Sequence, residues 1–171
     1  MRTALLLIPA ALVAALPAAA DELPKRKPGL WEVSMAVEGK KIPFNTLQQC
    51  TDAETDALMM TNFNGAIGQN CSQPKVRNSS GTYTIDSACT FAGATTSTHA
   101  VISGDFDKAY TVKVTSKQTG GKPLPTLGAV GEMSMSLEAK WVGPCGPKMK
   151  AGDIVMPGGI TINVRQLKIR P

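Results

Sequence analysis

The most regular feature of the chain is a strict alternation of apolar and polar residues. Trp31, Val33, Met35 and Val37 alternate with Glu32, Ser34, Ala36 and Glu38. Met133, Met135, Leu137, Ala139 and Trp141 alternate with Glu132, Ser134, Ser136, Glu138 and Lys140. Successive side chains of a strand point to opposite faces of the sheet, so a period of two predicts half-buried β-strands. Between these segments, Cys71 to Lys117 has the pattern of a β-meander. Tyr83, Ile85, Cys89 and Phe91 share one face, Ala100, Ile102 and Phe106 another, and Tyr110, Val112 and Val114 a third. Its connections, Gly93-Ala94-Thr95 and Asp107-Lys108-Ala109, are as short as antiparallel neighbours require. A weaker extended segment with Ile42 and Phe44 leads to Cys50, and Pro43 marks it as an edge or as irregular. Near the C-terminus Ile160, Ile162, Val164, Leu167 and Ile169 change phase once, which predicts a strand with a bulge.

One segment breaks the period. Thr51-Asp52-Ala53-Glu54 has the form of a capping box, and Ala57, Leu58 and Met60 supply an apolar side, so a short helix is expected over about 51–61. Asn62 to Asn70 and Gln118 to Gly128 are expected to be loops. The expected fold is mainly β: a curved antiparallel sheet or partly closed β-barrel of about seven or eight strands with one short helix.

The first twenty residues have a different character. Arg2 precedes an apolar stretch from Ala4 to Leu16, broken by Pro9, and Ala18-Ala19-Ala20 ends it. This is the pattern of a secretory signal cleaved before Asp21, too short and interrupted for a membrane anchor. Residues 1–20 are therefore expected to be a signal peptide and 21–171 a single β-rich domain, with no transmembrane segment after cleavage. The expected location is the periplasm.

Four cysteines follow the signal: Cys50, Cys71, Cys89 and Cys145. An even number in an oxidising compartment predicts two disulfides. Cys71 and Cys89 lie almost symmetrically about the turn-forming Asn78-Ser79-Ser80-Gly81, so they are expected to pair across a hairpin, leaving Cys50 for Cys145.

Charge changes the picture little. Lys and Arg number 18 against 13 Asp and Glu, a formal net charge of +5. The positives are scattered apart from Lys25-Arg26-Lys27, which has the look of a solvated tail. Few aromatics and no basic stripe argue against nucleic acid as a partner.

Pro28-Gly29-Leu30-Trp31-Glu32-Val33, Gln49-Cys50-Thr51, Asn70-Cys71-Ser72, Cys89 and Trp141-Val142-Gly143-Pro144-Cys145 together resemble domain-of-unknown-function family 3617, small exported proteins of Gram-negative bacteria. The resemblance implies a periplasmic location and paired cysteines. It implies no catalytic or binding residue.

Candidate chemistry is sparse. A hydrolase needs a nucleophile with a base, paired carboxylates or a metal. The lone His99 sits beside Thr98 on an alternating segment, as a residue of a polar face does. No Gly-x-Ser-x-Gly elbow accompanies it. Asp52, Glu54 and Asp56 fall where carboxylates cap a helix N-terminus. No calcium loop, phosphate-binding glycine loop or zinc signature is present, so no catalytic residue, metal site or cofactor is assigned.

Methionine is the remaining signal. Met35, Met133 and Met135 lie on apolar strand faces, where a flexible thioether fills gaps in a core or adapts to variable ligands; copper(I) ligation fits their spacing poorly. With Trp31 and Trp141 they are the candidate ligand-facing residues of an apolar groove. The leading expectation is non-catalytic binding of a hydrophobic or envelope-derived molecule, or of a protein partner. A small envelope hydrolase using His99 or the 52–56 carboxylates, and a structural or stress-related protein without a ligand, are the alternatives.

Overall fold

The computed structural model describes residues 22–37, 40–65, 70–91, 93–121 and 132–167, and the side chains of all of these except 40–45 and 60–65. The expected signal peptide, most of the loop after Gln118 and the end of the C-terminal segment lie outside these residues.

Among the described residues, nine strands form one antiparallel sheet. They are β1 (Gly29–Val37), β2 (Lys40–Thr51), β3 (Lys75–Ser79), β4 (Thr82–Phe91), β5 (Ala94–Asp105), β6 (Ala109–Gly120), β7 (Glu132–Gly143), β8 (Asp153–Val155) and β9 (Thr161–Asn163). Their spatial order is β3-β4-β5-β6-β7-β1-β2-β8-β9. The sheet is not closed into a barrel and has β3 and β9 as its edges. The β1–β2 hairpin docks beside β7 through β1, which leaves the two edges far apart in the strand order.

The strand count exceeds the expected seven or eight for a local reason. β8 and β9 have three residues each, too few to show a period among the surrounding glycines and prolines. They are added by pairing: Gln48 and Gln49 of β2 face Val155 and Ile154. The expected bulged strand over 160–169 becomes β9 followed by a 3₁₀ turn, Val164–Gln166, which accounts for the phase change. Pro43 falls where β2 is irregular and beyond its pairing with β8: β8 pairs only with Gln48 and Gln49, and β1 slips register there, from Ser34 facing Thr46 to Ala36 facing Lys41. The slip leaves 42–45 without partners on β1, which accommodates a residue that cannot donate to a ladder.

Turn chemistry sets the β3–β4 hairpin. Ser79 faces Thr82, and the two residues between, Ser80 and Gly81, have φ of 51° and 83°. Both positive values define the tight turn whose twist matches that of the strands, and glycine takes this conformation without cost.

The helix α1 spans Ala53–Gly65, beginning and ending later than expected. The cap is Asp52, not Thr51. Its Oδ1 accepts from the Thr55 N–H at 2.8 Å and from the Thr55 hydroxyl at 2.7 Å, and the Asp52 N–H donates to Thr55 Oγ1 at 2.9 Å. This is the reciprocal logic of a capping box shifted by one residue.

Two disulfides close the frame, in the pairing that the spacing predicts. Cys50–Cys145 spans 95 residues with Cα atoms 5.6 Å apart, tying the end of β2 to the exit of β7. Cys71–Cys89 spans 18 residues and ties the approach to edge strand β3 to β4. The core centres on Trp31, Val33 and Ala139, with Leu47, Tyr110, Leu137 and Trp141 packed against it. Among the described residues no helix is long and apolar enough to cross a membrane.

Candidate functional site: an uncharged sheet face

The register sorts every strand side chain onto one of two faces. Val33 faces Leu47 on one side and Ala139 on the other, and Ala139 faces Tyr110. One step along the strands, Met35, Leu137, Val112, Ile102 and Tyr83 form a row. One step further, Val37, Met135, Val114, Ala100, Ile85 and Val76 form another, six strands wide. The three separate apolar faces of the meander are thus one continuous face, because antiparallel partners point the same way.

Beyond that row the face changes character at the same level on three adjacent strands. Ser87 faces Thr98, and Thr98 faces Ser116, with the Thr98 and Ser116 hydroxyls 3.3 Å apart. Met133 continues this row on β7. The next row holds Cys89, Thr96 and Gln118.

Across β1 and β3 to β7 charge is segregated between the two faces, whereas on β2 the register sets Lys40 opposite Val37 of the apolar row. On β1, β3 and β4 the ionic residues are Glu32, Lys75, Arg77 and Asp86; on β5, β6 and β7 they are Asp105, Lys113, Lys117, Glu132, Glu138 and Lys140. Each falls on the opposite face from the apolar rows. Over these six strands the apolar face carries no charged residue. Most of its middle is half-buried: Met35, Val112, Val114, Met133, Met135 and Leu137 are of intermediate exposure, while Ile102 and Ala100 on β5 are buried.

One end of the face is closed by the segment preceding β1. Arg26, in the run expected to be a solvated tail, is instead buried, at 5% exposure. Its Nε donates to Asp56 Oδ1 at 2.6 Å and its backbone N–H to Asp56 Oδ2 at 3.1 Å, with Asp56 itself 3% exposed. Nη1 reaches Gln49 Oε1 at 2.8 Å and the Tyr110 hydroxyl at 3.2 Å, and Nη2 reaches Met59 Sδ at 3.4 Å. Gln49 and Tyr110 belong to strands three spacings apart, roughly 14 Å on a flat sheet. Their meeting on one nitrogen ties β2 to β6 across β1 and β7. Burial pushes the Tyr110 hydroxyl pKa up, the Arg26 cation opposing it.

The segment is held by backbone contacts as well. The indole of Trp31 donates to Lys27 O at 2.9 Å, that of Trp141 to Pro28 O at 3.1 Å, and Lys27 N to Phe106 O at 3.0 Å. The Lys27 ammonium lies 3.8 Å from the Trp141 ring centroid. Gly29, at φ +135°, admits no side chain: a Cβ there would lie 2.5 Å from Gly143 O and from Trp141 Nε1. The Pro-Gly-Leu-Trp sequence is therefore a docking device for the N-terminal segment. Of the five expected ligand-facing residues, Met35, Met133 and Met135 share the open face, while Trp31 is fully buried and Trp141 is packed against the core.

The polar candidates do not converge. His99 is on the charged face, its Nδ1 2.7 Å from Asp86 Oδ1, and Asp86 also pairs with Arg77 at 3.1 Å. The His99 hydrogen bond holds the Asp86 carboxyl below the usual carboxylate range. A base oriented by a carboxylate needs a nucleophile within hydrogen-bond reach, and among the described residues no hydroxyl bonds to His99. The 52–56 carboxylates lie across the sheet, each with its own partner: Asp52 with Thr55, Glu54 with Arg165 at 2.9 Å, and Asp56 with Arg26. Among the described residues no group of three His, Cys, Asp or Glu side chains is placed to hold a metal ion.

A family model described as protein of unknown function (DUF3617) matches residues 26–145. No curated protein and no solved structure matches the chain.

Proposed function

The chain belongs to the DUF3617 family of proteins of unknown function, and from its own geometry we propose that it is an exported periplasmic binding protein, non-catalytic, whose ligand is a hydrophobic or envelope-derived small molecule. The observation that carries this reading is the apolar face: a largely half-buried surface across six strands, bearing three methionines, with every ionic residue of β1 and β3 to β7 on the opposite side. An ordinary one-sided sheet buries such a face under a second layer. Among the described residues, α1 packs against β2 and the turn after β9, and the Arg26 segment reaches Gln49 of β2 and Tyr110 of β6 at the same end of the face. Export is supported by the signal-like first twenty residues and by two disulfides, which persist in oxidising compartments.

Organic extraction of the protein purified from its native envelope, followed by mass spectrometry, tests the binding reading. A stoichiometric co-purifying apolar molecule is expected, and a consistently empty protein that takes up no lipid on titration would sink it. N-terminal sequencing of the mature protein tests export, with Asp21 expected as the first residue.

A further inference from the structure

The hydroxyl row makes the ligand's chemistry more specific, on the premise that the binding reading holds. We infer that the face takes a non-ionic amphiphile, an acyl chain with an uncharged hydrogen-bonding head of the glycerol-ester kind, and discriminates against charged heads of the same chain length.

Charge complementarity carries this. A ligand lying on the face meets no cation and no anion of β1 or β3 to β7, because all of them are on the other side. The Arg26–Asp56 pair that reaches the face is mutually neutralised and buried at 5% and 3% exposure, and Lys40, in register with Val37, belongs to β2, three strands from Ser116 of β6. A charged head placed there would lose hydration without gaining a counter-charge, which disfavours it strongly. An uncharged polar head does find partners. Ser87, Thr98 and Ser116 are aligned across three strands, each half-buried and each with hydroxyl lone pairs available. At ~3.4 Å per residue along β6, this row lies about 7 Å beyond Val114 and about 20 Å from Tyr110. Tail and head surfaces thus follow one another along a single direction, from the aromatic end to the hydroxyl end.

The test is calorimetric titration of the purified protein, below micelle formation, with three probes that share one chain: monolauroylglycerol, laurate and dodecyltrimethylammonium. Monolauroylglycerol is expected to bind more tightly than either ion by about tenfold or more. The Ser116→Lys variant, which puts a cation in the hydroxyl row, is expected to shift the preference toward laurate, with circular dichroism confirming that it folds. Equal or tighter binding of laurate or dodecyltrimethylammonium to the unmodified protein overturns this inference and leaves the binding reading standing. Binding of none of the three overturns both, as does a dimer by sedimentation that closes the face and that no probe dissociates.

Discussion

At the scale of single residues, the largest consequence attaches to Arg26. A buried ion pair contributes little net stability against its desolvation cost, but removing one partner strands the other. Arg26→Met is therefore expected to destabilise the fold by about 3–5 kcal/mol in urea unfolding, because the Asp56 carboxylate is left with no counter-charge. The double variant Arg26→Met with Asp56→Leu should recover most of that loss, and a double variant as unstable as the single one would show that the effect is not the stranded charge. Nothing near Arg26 in the chain announces its burial. It stands between two lysines, and only contacts with Gln49, Asp56 and Tyr110, 23 to 84 residues away, separate it from them. Asp52 gives a second test, in pH. The Thr55 backbone N–H holds its carboxyl below the usual range, and Asp86 and Asp153 are lowered as well, by His99 and by the Lys150 backbone N–H respectively. A lowered folded pKa means stability that is present above about pH 4 and lost as pH falls through the lowered values. Asp52→Asn keeps a good cap while removing the titration, so its stability is expected to fall less steeply between about pH 5 and pH 2 than that of the unmodified protein.

At the scale of elements, the two disulfides are unequal. In the chain-entropy account a loop of 95 residues is worth ~4 to 5 kcal/mol and one of 18 residues ~3 kcal/mol. Thermal unfolding of Cys50→Ser with Cys145→Ser should therefore show the larger drop in midpoint, and a larger drop for Cys71→Ser with Cys89→Ser would contradict that account. The same contrast follows from position, since Cys50 is 1% exposed beside the core strands while Cys71 and Cys89 are half-buried near the sheet edge. The long strands were legible because ten or so residues of alternation outweigh local noise, as in β7. The three-residue strands β8 and β9 were not, since their existence depends on Gln48 and Gln49 offering an edge to pair with. The helix was legible in kind but displaced in its limits. The choice between Thr51 and Asp52 as cap is made by Thr51 being the last residue of β2, facing Gly29.

At the scale of the whole molecule, the separation of charge between the two faces of β1 and β3 to β7 is the property on which the proposed binding turns. Placing a charge in the middle of the apolar face, as in Val114→Glu, is expected to abolish uptake of apolar ligand while Lys113→Glu, one residue away and on the opposite face, leaves it unchanged. Equal effects of the two variants would remove the face as the binding surface. Bound ligand should also raise the unfolding midpoint with ligand concentration, by ~2.7 kcal/mol of stability at a hundredfold excess over Kd.

Sequence alone determined whatever depends on near neighbours: the period of two that makes strands, the turn residues that make the β3–β4 hairpin, a helix after Cys50, and a cysteine spacing with one sensible pairing. It also placed Met35, Met133 and Met135 on apolar faces, each within its own strand. Only the tertiary structure decided that these faces are one face, because the pairing of β7 with both β6 and β1 aligns rows that are a hundred residues apart in the chain. It decided in the same way that Ser87, Thr98 and Ser116 form a line, that Arg26 is buried, and that the sheet stays open. Each of these is a matter of register between distant strands, and register is set by the summed burial of a whole face rather than by any residue's neighbours in sequence.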